Sequence, residues 1–478
     1  MKIVLTVHQF LPEYTYGTEI IACNIARELR SRGHEISIVT GFDAKTPLAD
    51  EARFGRYEYE GFPVHRFLHA CVPMGGQDDV VEIEYNNRLF YGWFRNYLSD
   101  CRPDVVHFVH MGRLSASAVD ACVEMGVPAV FTATDFWPVC PTNQLLLPDG
   151  SMCGGPDALA SNCLRHIVAI TQPALIRTAV ERLPDPLLES AIRLCRKVRV
   201  RYPERIRNVA SLASRLEFIR QRMNLLRRIV VPSRIMGEVL ARCFPGVVSI
   251  VHLPYGIDVR RIPRLNGKGE RAALRLGFVG RIQESKGLHV LVRAVRSLES
   301  TVPVELKIHG NDGEHPEYVR ALRRTADGDP RIGFCGPFEN GMIGEVLRDV
   351  DVLVCPSVWY ENTPLVIREA QAAGCPVIAS NLPGMAEAIE PGVDGMLFDP
   401  GNSGDLAAVL RRLEADRPLV SRLSSGTGEP LSVSDHVDAL ERIYEEILPA
   451  HGGKKRGAGS ARGGESCGTF TAGFRRAF

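Results

Sequence analysis

DVLVCPSVWYENTPLVIREAQAAGCPVIAS, residues 351–380, reads as a strand, a loop, a helix and a second strand. The apolar run Val352–Cys355, closed by Pro356, has the length and β-branched content of a buried strand. Thr363 followed by Pro364 is the pairing expected at an N-cap and a first helical position. Leu365, Val366, Ile367 and Ala370 carry the helix, and Gly374 stops it ahead of Pro376. A helical crossover between two short buried strands joins them in parallel, so the stretch predicts one βαβ unit of a doubly wound sheet.

Two glutamates lie within it, Glu361 in the loop and Glu369 inside the helix. Helical rise plus an extended loop sets their carboxylates on the order of 10 Å apart. A retaining glycosidase pair needs about 5 Å and an inverting pair roughly 6.5–9.5 Å, with both groups facing one bond. The spacing suits instead the two ends of an elongated ligand, with the free N–H groups of Leu365 and Val366 between them as a seat for an anion. Taken alone, the stretch is better explained by a loop charge and a dipole-stabilised helix glutamate.

The same rhythm runs in both directions. KIVLTV, HEISIVTG, DVVHFVH, PAVFTATD, RRIVVPS and SIVHLPYG alternate with helical segments in the first half, and the helix TEIIACNIARELRSRG ends at Gly33. A second series, LRLGFVG, VELKIHG, RIGFCG, DVLVCPS, CPVIAS and GMLFD, follows a polar linker. The expected architecture is α/β, two Rossmann-like parallel sheets facing a central cleft. The expected units are residues 1–260, with a Cys-bearing loop and a basic helical insertion at about 140–228, residues 261–450, and a disordered basic tail at 451–478. Strand C-terminal ends of such sheets bind ligands, which makes the cleft the default site.

With 478 residues, 57 Lys+Arg against 56 Asp+Glu and ordinary apolar content, the chain reads as a multidomain soluble enzyme whose global charge selects no partner. The start MKIVLTVHQF is too short in apolar residues for an export signal. No run approaches a membrane span. Thirteen cysteines in that setting imply thiols in a reducing, cytoplasmic compartment.

In GFVGRIQESKG, Arg281 and Lys286 bracket the loop between a strand end and a helix N-terminus, a place that collects anions. The spacing is not that of a P-loop. A solvated basic loop is the plainer reading of that segment by itself.

Together, VGRIQESKG, CPSVWYENTPLVIREAQAAGCPVIAS and PGVDGMLFDPGNSGDLA resemble, in this order, the donor-binding half of glycosyltransferase family 4. That family consists of retaining nucleotide-sugar transferases of GT-B fold, and the glutamate pair separated by seven residues is its signature. The resemblance implies that Arg281 and Lys286 hold a diphosphate and that Glu369 accepts hydrogen bonds from ribose hydroxyls. It further implies that Glu361 contacts the transferred sugar, while Asn362, Thr363, Pro364 and Leu365 offer backbone to sugar and phosphate. In the first half it implies that Gly17 approaches the donor, with Tyr16 standing where the family has a first glycine. His110 or His107 would then take the histidine position on the sugar, with His110, at the strand end, preferred. Thr134 stands where relatives show histidine.

Cys140, Cys153, Cys163 and His166 are spaced either as a structural Cys3His zinc site or as thiols of a loop, and the spacing does not separate the two. Residues 165–228 carry about fifteen Lys/Arg against about five Asp/Glu, read as a face for anionic lipid or as a solvated helical face. Nucleic acid is not expected, since aromatic stacking platforms are nearly absent there. The acidic spellings at Asp327–Asp329 and Asp349–Asp351 read as structural, so no catalytic cofactor is expected.

The expected reaction is transfer of a sugar from a nucleoside-diphosphate sugar to a hydroxyl of a glycan or lipid-linked acceptor, in cell-surface polysaccharide or glycoconjugate synthesis. The competing readings are an inverting transferase or phosphorylase of the same fold, and a two-domain protein that binds sugar nucleotides without chemistry.

Overall fold

The computed structural model describes residues 1–448, apart from 45, 47, 198–203, 247–248 and 265–271. The expected tail at 451–478 and most of the linker lie outside the described residues.

Among the described residues, fourteen strands fall into two sheets. The first holds β1 (Lys2–Val7), β2 (Glu35–Asp43), β3 (Phe54–Tyr59), β4 (Phe62–His69), β5 (Val105–Phe108), β6 (Ala129–Thr132), β7 (Arg228–Val231) and β8 (Ile250–His252). Their order is β3-β4-β2-β1-β5-β6-β7-β8. The second holds β9 (Leu274–Val279), β10 (Val304–His309), β11 (Ile332–Gly336), β12 (Val352–Cys355), β13 (Val377–Ser380) and β14 (Gly395–Phe398), ordered β11-β10-β9-β12-β13-β14. Every pairing is parallel except β3 with β4.

That antiparallel edge departs from the all-parallel expectation. Its cause is a two-residue turn with both central residues left-handed, Glu60 (φ 50°) and Gly61 (φ 78°). This geometry matches the twist of the flanking strands and folds the chain straight back.

In each sheet the order reverses beside the first strand, between β1 and β5 and between β9 and β12. At such a switch point the two flanking connections leave in opposite directions and open a crevice beyond the strand ends. His8 and His110 follow β1 and β5; Arg281 and Ser357 follow β9 and β12. The topology thus sets these four segments at the mouths of the two crevices.

The helix Val433–Ile447, grouped by sequence with the second unit, packs on the first. Val433, Val437, Leu440 and Tyr444 recur at helical spacing and join the core of Ile3, Leu5 and Ile25. Arg32 reinforces the contact through Asp438 and Glu441, and His34 Nε2 lies 2.6 Å from Glu441 Oε1.

Four helices fill the insertion, Ser161–Thr171, Ala174–Glu181, Asp185–Lys197 and Glu204–Met223. The last is bound to the first sheet's unit by its arginines. Arg215 is buried, reaches Glu84 Oε2 at 3.0 Å and the Trp137 carbonyl at 2.7 Å, and lies over the Trp137 ring. Arg222 meets Asp120 at 3.0 Å, and Arg207 pairs with Asp78. These cations serve internal pairing, so the basic face read over 165–228 contracts toward its first three helices. Among the described residues no helix is long and apolar enough to cross a membrane.

Candidate functional site

On the second sheet's side of the cleft the loop after β12 is held between two glycines. A side chain on Gly287, which is left-handed at φ 67°, would strike the Pro356 carbonyl at 1.8 Å. One on Gly384 would strike the Glu361 carbonyl at 1.7 Å. Only glycine permits either approach. The packing brings Lys286 beside the loop, where its Nζ lies 2.7 Å from Glu361 Oε1. Ser357 Oγ and Trp359 Nε1 donate to the same oxygen at 2.7 and 2.8 Å. Glu361 is buried and fixed by three donors, while Oε2 makes no hydrogen bond among the described residues.

The helix after it runs Leu365–Ala372 and starts one residue later than expected. Pro364 (φ −61°, ψ 124°) is its N-cap; Thr363 makes no cap and donates its hydroxyl to the Asn362 carbonyl at 2.6 Å. The extended Pro364 backbone moves the first turn forward and leaves the Leu365 and Val366 N–H groups without helical partners. Gly17, first residue of the helix Gly17–Ser31, faces this turn: a Cβ there would sit 3.7 Å from Leu365 Cδ1. Two helix N-termini, each the positive end of a dipole, therefore lie close together from opposite units.

Glu369 lies on the second turn and is partly exposed. Its carboxylate makes no hydrogen bond among the described residues, and desolvation lifts its pKa to about 7. Such a carboxyl is open to donors from a ligand or from water.

Arg281 reaches across the cleft. Its Nε and an Nη lie 3.2 and 3.1 Å from Glu314 Oε2, and its guanidinium sits 4.4 Å from the Tyr16 ring centroid. The Tyr16 hydroxyl donates to Glu314 Oε1. The tyrosine in place of a first glycine thus joins the two units through a carboxylate. Asn362 forms a second clasp. Its Nδ2 donates to the carbonyls of Ala133 and Thr134 at 3.0 and 3.1 Å, and its Oδ1 accepts from Ser233 Oγ.

The two histidines weighed from sequence are both buried. His107 Nδ1 lies 2.7 Å from Tyr444 Oη and its Nε2 lies 2.7 Å from Thr132 Oγ1. Burial pushes it down to about 3, as befits a neutral structural ring. His110 accepts from the Gly112 N–H at 2.8 Å through Nδ1, so Nε2 carries the proton and lies 3.0 Å from Asp135 Oδ2. Thr134 turns inward, its hydroxyl donating to the Val109 carbonyl.

Above His110 stands His8, which the sequence reading did not single out. The rings lie 4.1 Å apart, and the His8 side chain is 22% exposed. Behind it lies Glu19, wholly buried, with Oε1 3.5 Å from His8 Nε2. Neither Glu19 oxygen makes a hydrogen bond of normal geometry, and burial raises its pKa. A sequence signal for Glu19 existed: it shares the apolar stripe of its helix with Ala22, Ala26 and Leu29. A carboxylate on a core-facing stripe is costly unless it serves a ligand or a partner.

Cys140, Cys153, Cys163 and His166 line one small cavity beside Val139. Among the described residues, however, no three His, Cys, Asp or Glu side chains are arranged to hold a metal. The thiols turn to their own loop, Cys140 Sγ to Thr142 Oγ1 at 3.2 Å and Cys153 Sγ toward the Gly155 carbonyl. Burial pushes Cys163 up to about 12, which keeps it neutral. All four side chains border this one cavity, with Cys140 and Cys153 close enough to Cys163 to act on its ionisation. The two acidic spellings engage neighbours, Asp351 with Arg275 and Asp329 with Arg331.

Residues 273–416 match the family of glycosyl transferases group 1, and residues 17–171 match the glycosyl transferase 4-like domain. The chain is 32% identical over 230 residues to the D-inositol 3-phosphate glycosyltransferase of Corynebacterium jeikeium, covering 43% of this chain and 54% of that protein. It is 28% identical over 212 residues to the glycogen synthase of Mycobacterium tuberculosis, covering 43% and 49%. The chain spans about half the length of the curated relatives it matches.

Among solved structures, Anabaena HepE in complex with UDP and glucose aligns over 94% of this chain and 100% of its own, with a TM-score of 0.59 at 16% identity. Sucrose-phosphate synthase from Thermosynechococcus elongatus aligns over 93% and 97%, with the same TM-score and identity. These likenesses carry the fold. With both domain matches in register with the two sheets, the chain belongs to the GT4-like glycosyltransferases of GT-B fold.

Proposed function

We propose that the protein is a retaining glycosyltransferase that moves a sugar from a nucleoside-diphosphate sugar to a hydroxyl of a glycan or lipid-linked acceptor, in cell-surface glycoconjugate synthesis. The observation that carries the reading is the unpartnered Glu369 carboxylate, set one turn beyond an open helix N-terminus whose other flank is the Lys286–Glu361 pair. Ribose hydroxyls supply the hydrogen bonds that Glu369 lacks. The diphosphate lies against the N–H groups of Leu365 and Val366, and the sugar extends toward Glu361 and the loop of Gly17.

Bond cleavage builds positive charge at the anomeric carbon and negative charge on the departing diphosphate. Lys286 is held in place by Glu361, so one of its three N–H bonds is committed and the others remain for phosphate oxygen. Arg281 is held by Glu314 through one edge of its guanidinium and keeps its second Nη. Both cations are thereby oriented before the donor arrives, and their stabilisation grows as charge moves onto the phosphates. On the acceptor side, His8 faces the cleft with Glu19 behind it, where the pair orients an incoming hydroxyl. The leaving phosphate takes the acceptor proton.

The HepE structure with UDP and glucose supports a nucleoside-diphosphate sugar as the ligand class by analogy of fold. The test is a thermal-shift screen with nucleoside diphosphates and their sugars, followed by anomer analysis of the product by NMR. A donor that raises the melting temperature and yields a product with the donor's anomeric configuration supports the proposal. An inverted product overturns retention, and donor binding without hydrolysis or transfer to any acceptor overturns the enzymatic reading.

A further inference from the structure

We propose that the first three insertion helices, Ser161–Thr171, Ala174–Glu181 and Asp185–Lys197, dock the protein on the surface of an anionic lipid bilayer. Nine large apolar side chains are exposed among the described residues, and five of them fall in this short span: Ile170, Leu175, Ile176, Leu187 and Leu194. Leu175 is 87% exposed, and its helix buries no residue at all.

The third helix carries two apolar stripes. Leu188 and Ile192 pack inward against Leu159 and Ala213. Leu187, Ala191 and Leu194 recur at i, i+4 and i+7 on a face that stays open. The inner stripe satisfies the fold; the outer one has no partner within it. An exposed apolar face of this kind marks a contact surface.

Charge selects the partner. Asp185 is paired with Arg165 and Glu189 with Arg193. Arg177, Arg182 and Lys197 have no ion pair among the described residues, and Glu181 is the one carboxylate left on these helices to offset them; Arg196, one turn beyond the packed Ile192, lies toward Glu217 of the fourth helix. Two copies meeting through this face about a two-fold axis would set cation against cation. Nucleic acid would leave the leucines in water, and these helices contain no Phe, Tyr or Trp on which bases could stack. An anionic bilayer satisfies both features: leucine enters the headgroup boundary and arginine meets lipid phosphate.

The third helix of this face joins the fourth through Leu188, Ile192 and Ala213. That fourth helix is anchored by Arg215 to Trp137, two residues beyond Asp135. Protein on a membrane would thus hold its first unit, the acceptor side of the cleft, near the lipid surface. The inference stands on surface chemistry and is independent of the transfer reaction.

The experiment is co-sedimentation of the full chain with vesicles of phosphatidylcholine alone and of phosphatidylcholine mixed equally with phosphatidylglycerol. Binding to the anionic vesicles is expected, with loss at high salt and weak binding to the neutral ones. Leu175→Glu/Leu187→Glu/Leu194→Glu should bind at least tenfold more weakly at unchanged melting temperature, since none of the three is packed. Each of Arg177→Gln, Arg182→Gln and Lys197→Gln should cost about fivefold on anionic vesicles. Equal binding to both vesicle types, no sedimentation of the wild type, or full binding by the triple variant overturns the proposal. A wild-type dimer in light scattering that the triple variant turns into a monomer also overturns it and assigns the face to a second copy.

Discussion

Donor affinity should depend on pH through Glu369. With its carboxyl lifted to about 7 by desolvation, the group is about one-tenth ionised at pH 6 and about nine-tenths ionised at pH 8. The ionised form is the better acceptor for ribose hydroxyls, so bound donor pulls the pKa down and releases a proton. If only the ionised form binds well, the apparent dissociation constant scales with the inverse of its population. It should therefore fall about tenfold between pH 6 and pH 8 and level off above that, a change of about 1.4 kcal/mol. Glu369→Gln replaces charge-assisted hydrogen bonds with neutral ones, a loss of about 1–1.5 kcal/mol, or roughly fivefold to fifteenfold at pH 8. The variant should show no slope and converge on the wild type near pH 6. Titration calorimetry with the intact sugar nucleotide is the assay, because its phosphates lack the second ionisation near pH 6 of a terminal phosphate. In buffers of different ionisation enthalpy it should also register proton release near pH 7. A flat wild-type profile, or an equal slope in Glu369→Gln, would refute the assignment of Glu369 to the ribose.

Arg281→Ala or Lys286→Ala should lower kcat by about 100- to 1,000-fold, the cost of one donor to a developing anion; near-normal turnover in both removes them from the diphosphate site. Asn362→Ala opens the clasp to Ala133, Thr134 and Ser233 and leaves buried groups unpaired, so the donor KM should rise roughly tenfold. Small-angle scattering should show an enlarged radius of gyration for that variant, and an unchanged radius with unchanged KM contradicts the clasp. Glu19→Gln should raise stability while lowering activity. Burial raises the Glu19 pKa, so its ionisation costs stability as pH rises from the unfolded value through the folded one. The gain on substitution should grow with pH from about 4 upward and reach roughly 2–4 °C in melting temperature at pH 8; a loss of stability at pH 8 contradicts the reading of an unsatisfied carboxylate.

The alternation of strands and helices was legible because buried parallel strands are continuous apolar runs with local boundaries. Gly33 and Gly374 were read as helix stops, and both adopt left-handed backbone, at φ 85° and 72°. The edge hairpin was missed although Glu60-Gly61 and the polar alternation of FGRYEY announce it; the strand–helix rhythm on either side masked a purely local signal. Thr363 was read as a cap from its type alone, whereas the extended Pro364 backbone decides where the helix begins. Three of the candidate site's working contacts were not legible in principle. The Asn362 clasp joins residues 129 and 229 positions away, Tyr16 meets Glu314 across 298 positions, and the His8 ring lies tilted against His110 from another strand. Sequence periodicity gives the face a residue occupies within its own element, not the element it meets.

Those long-range contacts share one physical consequence. Each cation assigned to the diphosphate already has a carboxylate, Lys286 with Glu361 in its own unit and Arg281 with Glu314, which Tyr16 ties to the opposite unit. A free cation in a half-desolvated cleft would be drawn to whatever anion is near, and its side chain would sample many rotamers. A carboxylate at one edge removes that freedom and leaves the remaining N–H groups aimed at the cleft. The two pairs differ in what donor binding must do to them. On the proposed donor position Lys286 and Glu361 would stay together, because both stand on the second sheet's side of the cleft. Arg281 is bound to a carboxylate that also accepts from Tyr16, so any movement of Arg281 toward phosphate is transmitted to the loop ahead of Gly17. On the proposed donor position, Tyr16 would therefore link the first loop to the phosphate that Arg281 binds. Tyr16→Phe, which keeps the ring over Arg281 and removes the hydroxyl, should uncouple the two and alter the acceptor KM more than the donor KM.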